Sequence, residues 1–191
     1  VTTSPDWTSV RSGLLEWAAV RAGVPDRAVQ WADEPLKLIP SPGPRLTLQA
    51  VSIIGRGTDE TVFDLDGDTL MPTTGGHRAL VLQVSVDTDS QLLGESATVI
   101  LERLRTRVRA PLSLERLDAM GLGLLSMGEP VTYSVRDSGG RAHPRAVVEL
   151  RLSFVSAEQD EPVGFIESAA LTGTATRPDA TTITIPVTVS P

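Results

Sequence analysis

The sequence predicts an α+β fold: a mixed β-sheet flanked by helices, with a long hairpin excursion and a C-terminal β-arm. Two stretches, 78–87 and 145–155, alternate from residue to residue as strands do, while 90–109 repeats its apolar residues at helical spacing. Clusters of Pro and Gly, at 35–44, 75–76 and 139–140, mark the turns and breaks between elements. The 191 residues suit one domain, 1–171, with an appended arm, 172–191.

Taken in order, residues 4–22 read as an amphipathic helix. Ser4 is placed to cap it, Pro5 suits the first helical position and Asp6 the positive end of the dipole. Val10, Leu14, Trp17 and Ala18 form its apolar stripe, and Gly23-Val24-Pro25 stops it. A short strand is expected over 28–33. The prolines at 35, 40, 42 and 44 then interrupt regular structure. Residues 45–54 resume as a strand, with Leu46, Leu48 and Ala50 alternating against Thr47, Gln49 and Val51. The excursion 55–77 carries the apolar patch Val62-Phe63 and is closed by Gly75-Gly76.

In 78–87, Leu80, Leu82, Val84 and Val86 take one face. Ala79 and Val81 make the other half apolar, which predicts a central strand with some cover on both sides. A helix capped by Asp89 or Ser90 runs to Arg109, with Leu93, Ala97, Ile100, Leu104 and Val108 inward. Residues 113–120 read as a short helix capped by Ser113 and stopped at Gly121. Strands follow at 122–127 and 131–136. In 145–155, Ala146, Val148, Leu150, Leu152 and Phe154 mark the buried face. Ile183, Ile185, Val187 and Val189 alternate through the arm, where Pro186 restricts the strand to an edge; a frayed tail is the competing expectation.

Composition narrows the function. Aromatic residues make up 4%, so the core is aliphatic, and the absence of cysteine excludes disulfides and thiolate metal sites. A formal charge of −7 argues against general nucleic-acid binding. No apolar run is long enough to span a bilayer, and no signal peptide is expected.

No catalytic set is recognisable. Asp64-Leu65-Asp66-Gly67-Asp68 has its glycine at the fourth position of the run, where a calcium loop needs it at the sixth. Gly94-Glu95-Ser96 lacks the second glycine of a nucleophile elbow, and Gly121-Leu122-Gly123 lacks the third glycine of a dinucleotide loop. His77 and His143 each stand beside a turn. With no nucleophile–base pair or metal set, no enzymatic activity, metal or cofactor is expected.

What remains is surface. Asp59, Glu60, Asp64, Asp66 and Asp68 make the excursion strongly negative. Arg103 and Arg107 fall on one side of the helical stripe, Arg105 and Arg109 on the other. Stems so placed cover the core, and Arg105 and Arg109 are candidates for pairing with acids of another subunit. Ile183, Ile185 and Val187 are candidate contacts of the arm.

The order of motifs resembles the tail-terminator (neck terminator) proteins of tailed phages. Trp31-Ala32-Asp33-Glu34-Pro35 followed by Pro44-Arg45-Leu46-Thr47-Leu48 is similar to the family's opening. Arg78–Val86 with the helix 90–109 is similar to its middle, and Pro144–Phe154 with Gly164-Phe165-Ile166-Glu167 to its close. The likeness covers roughly residues 7–171; the excursion is longer than usual and the arm has no counterpart.

The resemblance implies a structural virion protein of the tail or neck, present in the host cytoplasm during assembly. It implies a homo-oligomer, a hexameric ring, that caps the head-proximal end of the tail tube and stops its polymerisation. Its partners would be the tail tube protein and a head-completion or connector protein, with DNA passing through the lumen without sequence-specific binding. The alternatives are another neck or tail subunit, such as a head-completion or tube protein, or a β-rich binding module of the tail.

Overall fold

The computed structural model describes residues 4–35, 43–66, 69–88, 96–136, 140, 142–159, 169–176 and 182–189. Its fold is α+β: three helices and a mixed six-stranded sheet, with a separate two-stranded sheet at the C-terminal end. The elements are α1 (Trp7–Ala22), β1 (Val29–Trp31), β2 (Arg45–Asp66), β3 (Thr69–Asp87), α2 (Ala97–Val108), α3 (Pro111–Ala119), β4 (Gly123–Met127), β5 (Val131–Arg136), β6 (Ala142–Gln159), β7 (Ala169–Thr176) and β8 (Thr182–Val189). Two compact units result. One comprises Val1–Glu60 with Gly75–Glu158, the other Thr61–Thr74 with Gln159–Pro191.

In the first unit the strand order is β1-β2-β3-β6-β4, and β5 also pairs with β6. β1 runs parallel to β2, while β4 and β5 run antiparallel to β6. One face of the sheet carries the core. Leu46 and Leu48, Leu80 to Val86 at alternate positions, and Ala146 to Phe154 at alternate positions join one apolar cluster with Val10, Leu14 and Trp17 of α1 and Ile100, Leu101, Leu104 and Val108 of α2. The alternation read in β3 and β6 is therefore real burial. Ala79 and Val81, on β3's other face, are buried as well.

Helix ends differ from the expectation. Asp6, not Ser4, caps α1: its carboxylate accepts from the Thr8 amide at 3.1 Å and the Ser9 hydroxyl at 2.6 Å. The Ser4 hydroxyl instead exchanges hydrogen bonds with the backbone of Ala157, at 2.6 and 2.8 Å, which draws the chain away before the helix starts. Gly23 ends α1 at φ 71°, as its place after the stripe predicts. α2 starts at Ala97 with Ser96 as cap; the expected Asp89 or Ser90 cap and Leu93 lie outside the described residues. α3 starts at Pro111 with Ala110 in the cap position, three residues before the expected cap Ser113. Ser113 is fully buried and accepts a hydrogen bond from the Trp17 indole at 2.9 Å. A hydroxyl bonded to another helix has no need to be a cap.

The largest correction concerns β2 and β3. The strand expected over 45–54 continues to Asp66, and Gly75-Gly76 lie inside β3 rather than closing a turn. The hydroxyls of Thr61 and Thr74 meet at 2.9 Å and Asp59 meets Arg78 at 2.6 Å, so the two strands run antiparallel. Up to Leu48, even positions of β2 share a face with even positions of β3; from Asp59 on, odd positions do. An irregularity between Leu48 and Asp59 switches parity, and Gly57 lies in that stretch at φ 89°, a conformation costly to any residue with a Cβ. β4 carries a second irregularity, with Leu125 left out of the register between Leu124 and Ser126.

In the second unit the C-terminal arm is a hairpin. Ile183 lies opposite Ala175, Ile185 opposite Gly173 and Val187 opposite Leu171, with Pro186 opposite Thr172.

Candidate assembly surfaces

Two ion pairs organise the sheet surface of the first unit. Arg78 donates to both carboxylate oxygens of Asp59, at 2.6 and 2.7 Å. Hydrogen bonding from Arg78 holds the Asp59 carboxyl below its usual range, and the guanidinium is raised in turn. Gly76 leaves room for this pair, since a Cβ there would displace the Asp59 carboxylate and the Arg78 guanidinium from their present positions. On β6, Arg145 donates to Asp87 at 2.5 and 2.9 Å, with Tyr133 as a further partner. These contacts raise the arginine's pKa, the bond to Asp87 most, and tie β3, β6 and β5 together across one face.

A third cluster closes the β1 end. The Arg11 guanidinium lies 4.5 Å above the Trp31 ring and donates to Asp33 at 2.9 Å, while the Trp31 indole donates to the Arg11 carbonyl at 3.2 Å. The bond from Arg11 lowers the Asp33 carboxyl. The tryptophan, alanine and aspartate of the motif after α1 thus fasten that helix to the sheet. Beside them Gln49 and Ala50 complete a cleft of about 250 Å³.

The expected contact residues are dispersed. Asp59, Glu60 and Asp64 lie exposed on β2, with Asp59 committed to Arg78. Asp66 ends β2, and Asp68 lies outside the described residues. Arg105 and Arg109 do share a site. With Glu102, Thr106, Val108 and Met127 they line an open cleft of about 310 Å³. Arg105 reaches Glu102 and Glu129, each at 3.5 Å. Arg103 and Arg107 turn the other way, toward the C-terminus of α1, where Arg103 donates to the Ala22 carbonyl at 3.2 Å. Ile183, Ile185 and Val187 are in β8; Gly164 to Glu167 lie outside the described residues.

The residues missed from sequence are the apolar ones at the surface. Val51, Ile53 and Ile54 on β2 and Val131 and Tyr133 on β5 are all exposed, Val131 by 64%. Val51, Val131, Tyr133 and Val147, with Gln83 and Glu149, outline a shallow hollow of about 340 Å³ on the sheet face that carries the Arg145–Asp87 pair. The available signal was Val51-Ser52-Ile53-Ile54, where strict alternation fails. Among the described residues no cluster of three or more metal-ligating side chains forms, and no helix is long and apolar enough to cross a membrane. No protein-family model matches the chain, and no curated protein matches it either.

Proposed function

We propose that this protein is a structural subunit of a phage tail, forming a ring that caps the head-proximal end of the tail tube, stops its growth and joins it to head-completion proteins. The observation that carries the reading is the exposed stretch of β2 in the first unit, whose apolar residues Val51, Ile53 and Ile54 face solvent beside charged neighbours. A surface of this kind suits contact with protein, because apolar side chains on a strand gain most from being covered. The order of the Trp31–Pro35 motif, strand, helix and closing strand supports the particular role. Arg11, Arg78 and Arg145 serve as struts between elements, and the reading has the protein act by shape and contact and not as an enzyme. The hexameric state, the virion location, the tube and connector partners and the passage of DNA belong to the same reading.

Electron microscopy and a deletion test it together. Purified protein should form rings with a central channel. A phage deleted for this gene should make tails of uncontrolled length, restored by supplying the protein. Normal tails in its absence would overturn the proposal.

A further inference from the structure

Among the described residues the six-stranded sheet ends in two unpaired edges. On one side β1 accompanies β2 only from Val29 to Trp31, opposite Leu46 to Leu48. The Ala32 amide donating to the Leu48 carbonyl is the last bond on that edge. From Gln49 onward β2 has β3 on one side and no strand on the other among the described residues. On the opposite side β5 pairs only with β6, and five of its six residues are exposed. Unpaired edges with apolar side chains are what a strand from another chain adds to.

We infer that the free edge of β2, from Gln49 to Glu60, pairs with the free edge of β5 of a second copy of this chain. This rests on the ring reading and specifies the contact that would build it. The lengths fit: six residues of β5 extend about 20 Å, and the twelve-residue free stretch of β2 accommodates them. The join is prepared. The cleft between Trp31, Asp33 and Gln49 lies where β1 stops, leaving room for the end of an incoming strand that continues its line.

Charge selects a head-to-tail arrangement. Glu60 is an exposed carboxylate on β2, whereas Arg105 of α2 and Arg109 at its C-cap stand beside the β4 and β5 edge, linked to it through Glu129 and through the Thr98–Thr132 hydroxyl contact at 2.7 Å. Arg109 has no carboxylate partner among the described residues. Pairing β2 with β2 would set like carboxylates against each other, while β2 with β5 sets them toward arginines. Joining two different edges repeats from copy to copy, and closes into a ring if the rotation allows.

The test uses two variants at exposed positions: Val51→Lys with Ile53→Lys on β2, and Val131→Lys on β5. Native mass spectrometry reads the assembly state and thermal melting checks the fold. Wild type should be oligomeric, and each variant should be a folded monomer. An equimolar mixture should form 1:1 dimers and nothing larger, since one intact β2 edge and one intact β5 edge remain. Rings persisting in either variant, or dimers of the β5 variant alone, would overturn the edge pairing and leave the ring reading standing. A wild type that stays monomeric at all concentrations would overturn both. Should a variant melt early, hydrogen exchange of the wild type at assembling and dilute concentrations reads the same contact. Slowed amides in 49–60 and 131–136 on assembly are expected, and unchanged rates in both stretches contradict the pairing.

Discussion

β2 and β6 are 22 and 18 residues long and lie in one sheet with β3 between them, yet they meet opposite fates. β6 buries Ala146, Val148, Leu150, Leu152 and Phe154 in succession. β2 buries Leu46 and Leu48, then exposes every residue from Gln49 to Asp64. Both are rich in residues that favour the extended chain, so both form strands. Being a strand and being covered are separate matters. Backbone pairing decides the first, and what lies above the sheet decides the second. The helices supply their apolar side chains to β6, β3 and the start of β2, and the rest of β2 is left as surface.

Substitutions break or sharpen this contrast. The largest effect is expected where a helix covers the sheet. Leu104→Asp would bury a carboxylate without a partner, destabilising the first unit by about 3–5 kcal/mol. Insoluble protein, or a melting temperature lowered beyond measurement, checks it; the same change at Ile53, on β2's exposed stretch, should leave melting of the unassembled subunit nearly unaltered. Next is Ser113→Ala, which leaves the buried Trp17 indole without its acceptor at a cost of about 1–3 kcal/mol. Denaturant unfolding of the wild type, this variant and Trp17→Phe tests it. If the loss belongs to the unmet donor, Ser113→Ala should cost much less once residue 17 is Phe.

Smaller still is Gly57→Ala. No atom lies near enough to obstruct a Cβ, so only the positive φ is penalised, by about 1–2 kcal/mol. The change should appear as faster hydrogen exchange on both sides of Gly57, with melting of the core little moved. Smallest is a pH effect. The Asp59 carboxyl is held below its ordinary value by the hydrogen bonds from Arg78. A lowered carboxylate stabilises the folded state above its unfolded pKa, and that contribution fades as pH falls through the folded value. The carboxyl carbon shift of Asp59 should therefore report a midpoint below that of an ordinary aspartate, and Arg78→Gln should return it toward the ordinary value. An unchanged midpoint would show that the pair is not what holds it.

The parts of the fold legible in the sequence are those where one face is continuously covered. The stripe of α2 and the alternation of β3 and β6 are printed as apolar residues at fixed periods, because burial selects every position of the face. Helix caps were less legible: Ser4, Asp6 and Ser113 all have capping chemistry, and only distant partners, Ala157 and Trp17, decide which residue does it. The run of β2 past residue 54 was hidden because Gly57, Gly75 and Gly76 look like turn signals. In the structure one lies within the strand at positive φ and another makes room for a carboxylate. The acidic and arginine candidates were found by charge alone, which does not say that Asp59 is already taken by Arg78. The exposed valines and isoleucines escaped because an apolar residue in a strand does not say whether anything covers it.

All three tryptophans of the chain, at 7, 17 and 31, belong to the first unit, on α1 and β1. Trp7 stacks edge-on to Phe154 at 4.9 Å, Trp17 is sealed against Ser113, and Trp31 lies under Arg11. Indole fluorescence therefore reports from three separate seams of that unit and contains no signal originating in β7 or β8. An emission change on assembly would mean that a neighbour's contact is felt within the first unit, while a silent spectrum accompanied by altered circular dichroism would locate the event elsewhere in the chain.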